Sequence, residues 1–290
     1  PSTARGWEEF VDTPELRRET IATTTLDAVP DYRIRLPNPT TWPFWLAVAV
    51  AITFIGSMAH LLFVPLGALL TYVAILGWTW PREAERAEGP EGAHESAQRL
   101  PHLVSGHRST GWWGIVLLIV IESTVFASLV TSYFYLKSQA PEWPLFGHKP
   151  PDLLLPSINA GILLASIVPM WWSERGILQG DRRRLLIGLL ISMALGIVFL
   201  VLKVVEYSDK PYIWSSDAYG SIVWTITGFH TAHLIAALLK SGAIAVVAWQ
   251  GHFTAQRHVA VQGNALYWYF VAGAWVPLFS TLYLSPHLLG

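Results

Sequence analysis

The sequence predicts an all-α fold, a polytopic membrane protein of seven transmembrane helices. Composition is the first ground: 52% of the 290 residues are hydrophobic, only 13% are charged, and fifteen are tryptophan. The second is that the apolar residues fall in long blocks, of the ~20 residues that cross a ~30 Å hydrocarbon core. The third is that Lys and Arg gather in alternate connecting segments. No large soluble domain fits between the blocks. A net charge of −1 gives no argument for nucleic acid as a partner. The absence of cysteine excludes disulfides, zinc–thiolate sites, iron–sulfur clusters, c-type haem attachment and thiolate copper centres.

Residues 1–41 form a mostly polar tail that begins at Pro1 rather than at a methionine. A signal peptide would be apolar from near its start, so the tail is not one; the expectation is a processed start or a piece of a longer chain. Asp12, Thr13, Pro14 and Glu15 make a helix-start signal ahead of LRRETIATTTL, which predicts a short surface helix. Pro30, Pro37, Pro39 and Pro43 then predict an extended approach to the membrane.

The first two spans are expected at Trp42 to Met58 and Leu61 to Trp80, and the very short turn at His60 makes them a tight hairpin. Residues 81–110 read as a charged linker containing Gly and Pro, which separates this pair from a five-helix bundle over residues 111–290. The third span is Gly111 to Lys137. The fourth, Leu153 to Trp172, ends on a Trp pair suited to the membrane interface. Asp181 and the run Arg182, Arg183, Arg184 lead into the fifth, Leu185 to Val205, which Glu206 and Tyr207 close. The sixth, Ala218 to Trp249, would be about 48 Å long as one helix and must tilt or project from the bilayer. The seventh is Ala265 to Leu284.

Fourteen Lys and Arg lie in the tail and in the loops after spans two, four and six, against Lys137, Lys149 and Lys210 on the other side. This distribution predicts a cytoplasmic N-terminus and, after seven spans, an external C-terminus.

The residue that most demands a role is Glu122, the single acid in the third span. It lies roughly 16 Å in from Gly111, near mid-membrane, where an ionised acid is costly and must be protonated or paired. In the sixth span His230 and His233 lie on one helix face, at a depth that permits pairing with Glu122. Hydrogen-bonded packing and metal or haem ligation both remain open for them, although a di-iron bundle would need repeated Glu-x-x-His motifs that the chain lacks. Glu206 is placed where it can reach the outer interface. Lys240, inside the sixth span, is expected to snorkel or to find an acidic partner. Arg257 and His258, with His252, are candidates to meet lipid phosphates from the cytoplasmic loop. Small residues (Ser123, Ala127 and Ser128; Ala160, Gly161, Ala165 and Ser166; Gly188, Ala194 and Gly196) are expected to permit close helix packing. No phosphate-binding Gly loop, nucleophile with its base, or paired carboxylate site is present.

Five segments together resemble one family: GWWGIVLLIVIESTVFASLVTSYFYL around Glu122, LPSINAGILLAS, LKVVEY, DAYGSIVWTITGFHTAHLI, and HFTAQRH followed by ALYWYF. They occur in the order and spacing of haem–copper oxidase subunit III, in its cytochrome c oxidase form. The tail segment RRETIATTTLDAVPDYRIRLP is similar to the connector of fused subunit I/III chains. The resemblance implies a helix pair and a group of five divided by a lipid-filled cleft. It also implies a non-catalytic accessory subunit of a proton-pumping aerobic terminal oxidase, without haem or copper of its own. Such a subunit packs on the haem–copper catalytic subunit I beside the other oxidase subunits, carries phospholipid, and supports proton uptake and lasting turnover. By the same resemblance Glu122 is the carboxyl that carbodiimides modify, Glu122, His230, His233 and Glu206 form a buried polar set, and Arg257 and His258 sit at lipid headgroups.

Gln262, Tyr269 and Ala272 depart from the family's Glu, His and Asp, which removes titratable groups from spans six and seven and questions a proton-collecting role for that face. Lys240 stands where the family has a small or apolar residue. The implied location is a bacterial cytoplasmic membrane rather than the mitochondrial inner membrane. The related subunit of a quinol oxidase or nitric oxide reductase is the alternative within the family, disfavoured because those relatives often lack the first helix pair. A proton-coupled carrier using Glu122 would show repeated halves, and none is found. A haem enzyme would need facing histidines on two helices, for which His60 and the distal His287 are poor candidates.

Overall fold

The computed structural model describes residues 19–23, 30–35, 40–80, 109–145, 148–255 and 257–288. The chain divides into two compact units, residues 1–103 and 104–290.

In the first unit, β1 (Glu19–Thr23) and β2 (Pro30–Arg35) pair antiparallel, with Glu19 opposite Arg35 and a register shift between Ala22 and Thr23. The helix expected in this part of the tail is therefore corrected over Glu19–Thr23. Thr20, Ile21 and Thr23 are β-branched, and their stiff side chains favour the extended backbone. The start of that expected helix and the linker at 81–108 lie outside the described residues. Helices α1 (Trp42–Ala59) and α2 (Phe63–Thr79) pack on each other around the short turn at His60, whose Nδ1 accepts from the Leu62 amide at 3.2 Å. Their approach is set by glycine: a Cβ on Gly67 would fall 2.6 Å from the Thr53 backbone nitrogen, and one on Gly77 would fall against the Trp42 ring.

The second unit contains α3 (Thr110–Gln139), α4 (Leu154–Ala165), α5 (Ile167–Leu178), α6 (Arg182–Ser208), α7 (Ala218–Trp249) and α8 (Val259–Phe279). A π-helical turn (Ser280–Leu284) and α9 (Ser285–Leu288) continue α8. Side-chain caps begin three of these helices, since Ser109, Asp181 and Asp217 accept from the amides of Gly111, Arg184 and Gly220. Two end in glycine at positive φ, Gly180 after α5 and Gly251 after α7, with the paired carbonyl–amide closures that left-handed residue permits. Helices α4 and α5 are one stretch interrupted at Ser166, where Pro169 cannot donate to the Ala165 carbonyl.

Among the described residues six helical stretches are long and apolar enough to cross a membrane, with Leu154–Leu178 and Val259–Leu288 each counted as one; α2, apolar and 17 residues long, is shorter. The chain is an integral membrane protein with the expected seven-helix, all-helical membrane part. Several helices outrun their apolar blocks: α6 starts at Arg182 and α5 runs on to Leu178, because polar end residues extend a helix beyond the hydrocarbon.

Within the second unit α8 is central, packing against α3, α4, α5 and α7, while α6 packs on α4, α5 and α7. The core between them is aromatic, with Trp268, Trp275, Tyr133, Tyr219, Tyr283 and Phe199 fully enclosed. Trp268 Nε1 donates to Ser166 Oγ at 2.9 Å, and Ser192 Oγ donates to the Ser166 carbonyl at 3.0 Å, so the interruption between α4 and α5 is tied to α8 and α6. Gly188 and Gly196 are buried on α6 as expected of packing residues. Ser123, Ala127 and Ser128 instead face outward from α3.

Candidate functional site: buried polar centres inside the bundle

At mid-height of the second unit, Glu122 on α3 meets His233 on α7, with Oε2 and Nε2 3.0 Å apart. His233 Nδ1 lies 2.8 Å from the carbonyl of Phe229, one turn earlier. A ring nitrogen has only a proton to offer a carbonyl, so Nδ1 carries the hydrogen, and a neutral His233 would present Nε2 as an acceptor toward Glu122. The contact then needs one proton between the two groups: either His233 is doubly protonated facing a carboxylate, or Glu122 is the neutral acid. The surroundings are apolar and aromatic, with the Phe126 ring centroid 5.1 Å from His233 and that of Phe229 4.5 Å from it. Removing His233 takes away the partner of the Glu122 carboxyl, and removing Glu122 leaves His233 Nε2 unanswered while Nδ1 keeps the Phe229 carbonyl.

His230 is fully buried and does not join this pair. Its Nε2 lies 2.9 Å from the Val271 carbonyl on α8, and its ring lies against Trp275 at 4.5 Å. It fastens α7 to α8. No group of three His, Asp or Glu side chains among the described residues converges to hold a metal.

Near the C-terminal end of α6, Glu206 is buried, as a member of the expected buried polar set, and is met from two sides. Lys203 Nζ donates to Glu206 Oε2 at 2.9 Å and to Tyr283 Oη at 2.7 Å; Lys210 Nζ is ion-paired with Glu206 Oε1 at 3.0 Å; the Tyr283 hydroxyl also donates to Oε1. Lys203 is 1% exposed, and its ammonium rests over the Trp275 ring at 4.6 Å. Lys210, read from sequence as a loop charge, folds back into the same cluster. Lys203 and Tyr283 escaped the sequence reading. The signal for Lys203 was in LKVVEY, a lysine three residues before an acid and so on the same helix face. Tyr283 is brought in by the π-helical turn and left no local signal.

Lys240 also departs from expectation. Its Nζ donates to the Gly263 carbonyl of α8 at 3.0 Å and stands over the Tyr267 ring at 5.3 Å; no acid among the described residues pairs with it. Just beside it, Asn264 Nδ2 donates to Ser241 Oγ at 3.0 Å. Tyr269 is not an empty replacement, because its hydroxyl donates to Glu174 Oε2 at 2.8 Å and links α8 to α5. His258, at the start of α8, and His252 are buried, and Arg257 is half-buried. His287 Nε2 lies 3.0 Å from the Pro151 carbonyl.

These features define an integral membrane protein of seven apolar helices, whose intramembrane acids are answered by histidine and lysine inside one bundle. The sequence matches the family Cytochrome c oxidase subunit III over residues 32–286, and the chain belongs to that family. It is 30% identical over 258 residues to cytochrome c oxidase subunit 3 of Sus scrofa, in an alignment covering 85% of this chain and 94% of the relative. The subunits 3 of Dugong dugon, 30% identical over 257 residues, and Pongo abelii, 31% identical over 256, align over the same shares.

Proposed function

We propose that this chain is a non-catalytic accessory subunit of a proton-pumping aerobic terminal oxidase. It packs on the haem–copper catalytic subunit among the other subunits, holds phospholipid, and supports proton uptake and sustained turnover. Haem and copper belong to the catalytic partner, and this chain contributes structure and polar groups. The location is a bacterial cytoplasmic membrane, with the N-terminus cytoplasmic and the C-terminus external, which the asymmetry of Lys and Arg supports. Arg257 and His258 act at the cytoplasmic headgroup level.

The observation that carries this reading is the Glu122–His233 contact. It is a mid-membrane acid hydrogen-bonded across two helices and able to hold or pass a proton. The test is Glu122→Gln in the assembled oxidase. The amide keeps the shape and removes the titratable proton, so the expected result is fewer turnovers before inactivation, or less phospholipid retained after gentle solubilisation. An unchanged working lifetime together with unchanged lipid content would sink the proposal.

A further inference from the structure

We infer that one water molecule is built into the bundle where α4, α6, α7 and α8 meet, held by Asn159, His230 and Trp275. All three side chains are enclosed, none of them more than 1% exposed. Each carries one polar atom that no described residue answers: Oδ1 of Asn159, Nδ1 of His230 and Nε1 of Trp275. A buried polar atom without a partner is costly and rare, and three in one aromatic cluster call for a common partner.

Printed contacts tie the three together. The His230 and Trp275 ring centroids are 4.5 Å apart, and the Phe199 ring touches both, at 5.9 Å from His230 and 5.4 Å from Trp275. Asn159 is fastened to the same phenylalanine, its Nδ2 donating to the Phe199 carbonyl at 3.2 Å. Ala160, next in the chain, lines an apolar groove of about 400 Å³ together with Trp275, so this part of α4 lies beside that part of α8. The face of the Trp275 ring is taken by the Lys203 ammonium at 4.6 Å, and its N–H edge is not.

The chemistry of the three atoms selects the occupant. Asn159 gives its NH₂ to a carbonyl, which makes Oδ1 an acceptor. His230 Nε2 lies 2.9 Å from the Val271 carbonyl and so carries the ring hydrogen, and a neutral ring then presents a lone pair at Nδ1. Trp275 Nε1 can only donate. The site therefore asks for two hydrogens and offers one, which is what a water molecule gives and takes. A metal ion could not accept the indole N–H, and an anion could not donate to two lone pairs. Buried waters make about three such bonds. This one joins α4, α7 and α8 at a point and holds the His230 ring in the orientation that fastens α7 to α8.

The test is a density map of the assembled oxidase sharp enough to show ordered water, joined to radiolytic footprinting of the same preparation in isotopically labelled water. An X-ray pulse turns a bound water into hydroxyl radical, which oxidises the side chain beside it. The expected map shows one compact peak about 2.7–3.2 Å from all three atoms. Trp268 is the internal control, equally enclosed but with its N–H donated to Ser166 at 2.9 Å. Trp275 is expected to take up labelled oxygen several-fold faster than Trp268. A direct Trp275–Asn159 hydrogen bond with no peak between them, a peak that reaches fewer than three of the atoms, or a Trp275 oxidised no faster than Trp268 overturns the inference. Trp275→Phe keeps an aromatic ring and removes the donor, so the peak should be lost or displaced, and a peak unmoved in that variant overturns it as well. If the variant does not assemble, the parent map and footprint decide.

Discussion

Glu206→Gln isolates the largest electrostatic commitment in the structure. The change is isosteric and removes one negative charge from between two ammonium groups, Lys203 at 2.9 Å and Lys210 at 3.0 Å, both almost closed off from their surroundings. The amide still accepts one hydrogen bond, so the loss is chiefly of charge pairing: two buried cations face each other without an anion. Breaking a buried pair in this way costs about 3–5 kcal/mol. Lys203→Met alone should cost less, about 1–2 kcal/mol, because Glu206 keeps Lys210 and Tyr283 as partners. The double variant Lys203→Met/Glu206→Gln should be less damaged than Glu206→Gln alone, since it removes one of the stranded cations, and the cycle should return a coupling of about 2 kcal/mol. The assay is the midpoint of thermal unfolding of the solubilised complex, followed by retention of this subunit. A Glu206→Gln variant within about 1 kcal/mol of the parent, or strictly additive single effects, would refute the reasoning.

Two further substitutions test the packing. Trp268→Phe removes the indole N–H that reaches Ser166 across three helices and leaves that hydroxyl without its donor; it should lower stability by about 1–3 kcal/mol, with Ser166→Ala giving little extra loss in the Phe background. Gly188→Ala sets a methyl 2.5 Å from the Pro169 carbonyl and should force α5 away from α6 at a cost of about 1–3 kcal/mol, read by the same thermal midpoint; an unchanged midpoint would mean that the two helices are free to part.

Much of the membrane part was legible because it obeys a one-dimensional rule, an apolar block as long as the bilayer is thick. Span six runs from Ala218 to Trp249 in both sequence and structure. Depth along the helix axis was equally readable, and it brought α3 and α7 together at the level of Glu122. Rotation was not. Depth admitted both histidines, and the acid meets His233 because His230 is turned toward α8 and its Val271 carbonyl. The Lys203 cluster was missed for a different reason. A lysine inside an apolar block reads as a flaw in the block until its partner one turn later is considered with it. The Glu174–Tyr269 bond joins residues 95 apart in sequence, and nothing local announces such a pairing. In the tail, a helix-start signal was outweighed over Glu19–Thr23 by β-branched residues and a strand whose paired residues lie seven to sixteen positions further on.

A helix made after α3 to α7 is the one that they lean on. During synthesis α3 to α7 leave the ribosome before α8, yet α8 supplies one wall to α3, α4, α5 and α7, accepts from Lys240, and carries Trp268 to Ser166. Until it enters the bilayer, the preceding helices can sit in lipid individually but cannot close on one another. Closure of this bundle therefore waits on the synthesis of α8. A chain stalled before α8 would hold every earlier span in the membrane and still present an unfinished surface, the kind of signal by which quality control in the membrane tells an incomplete subunit from one ready to assemble.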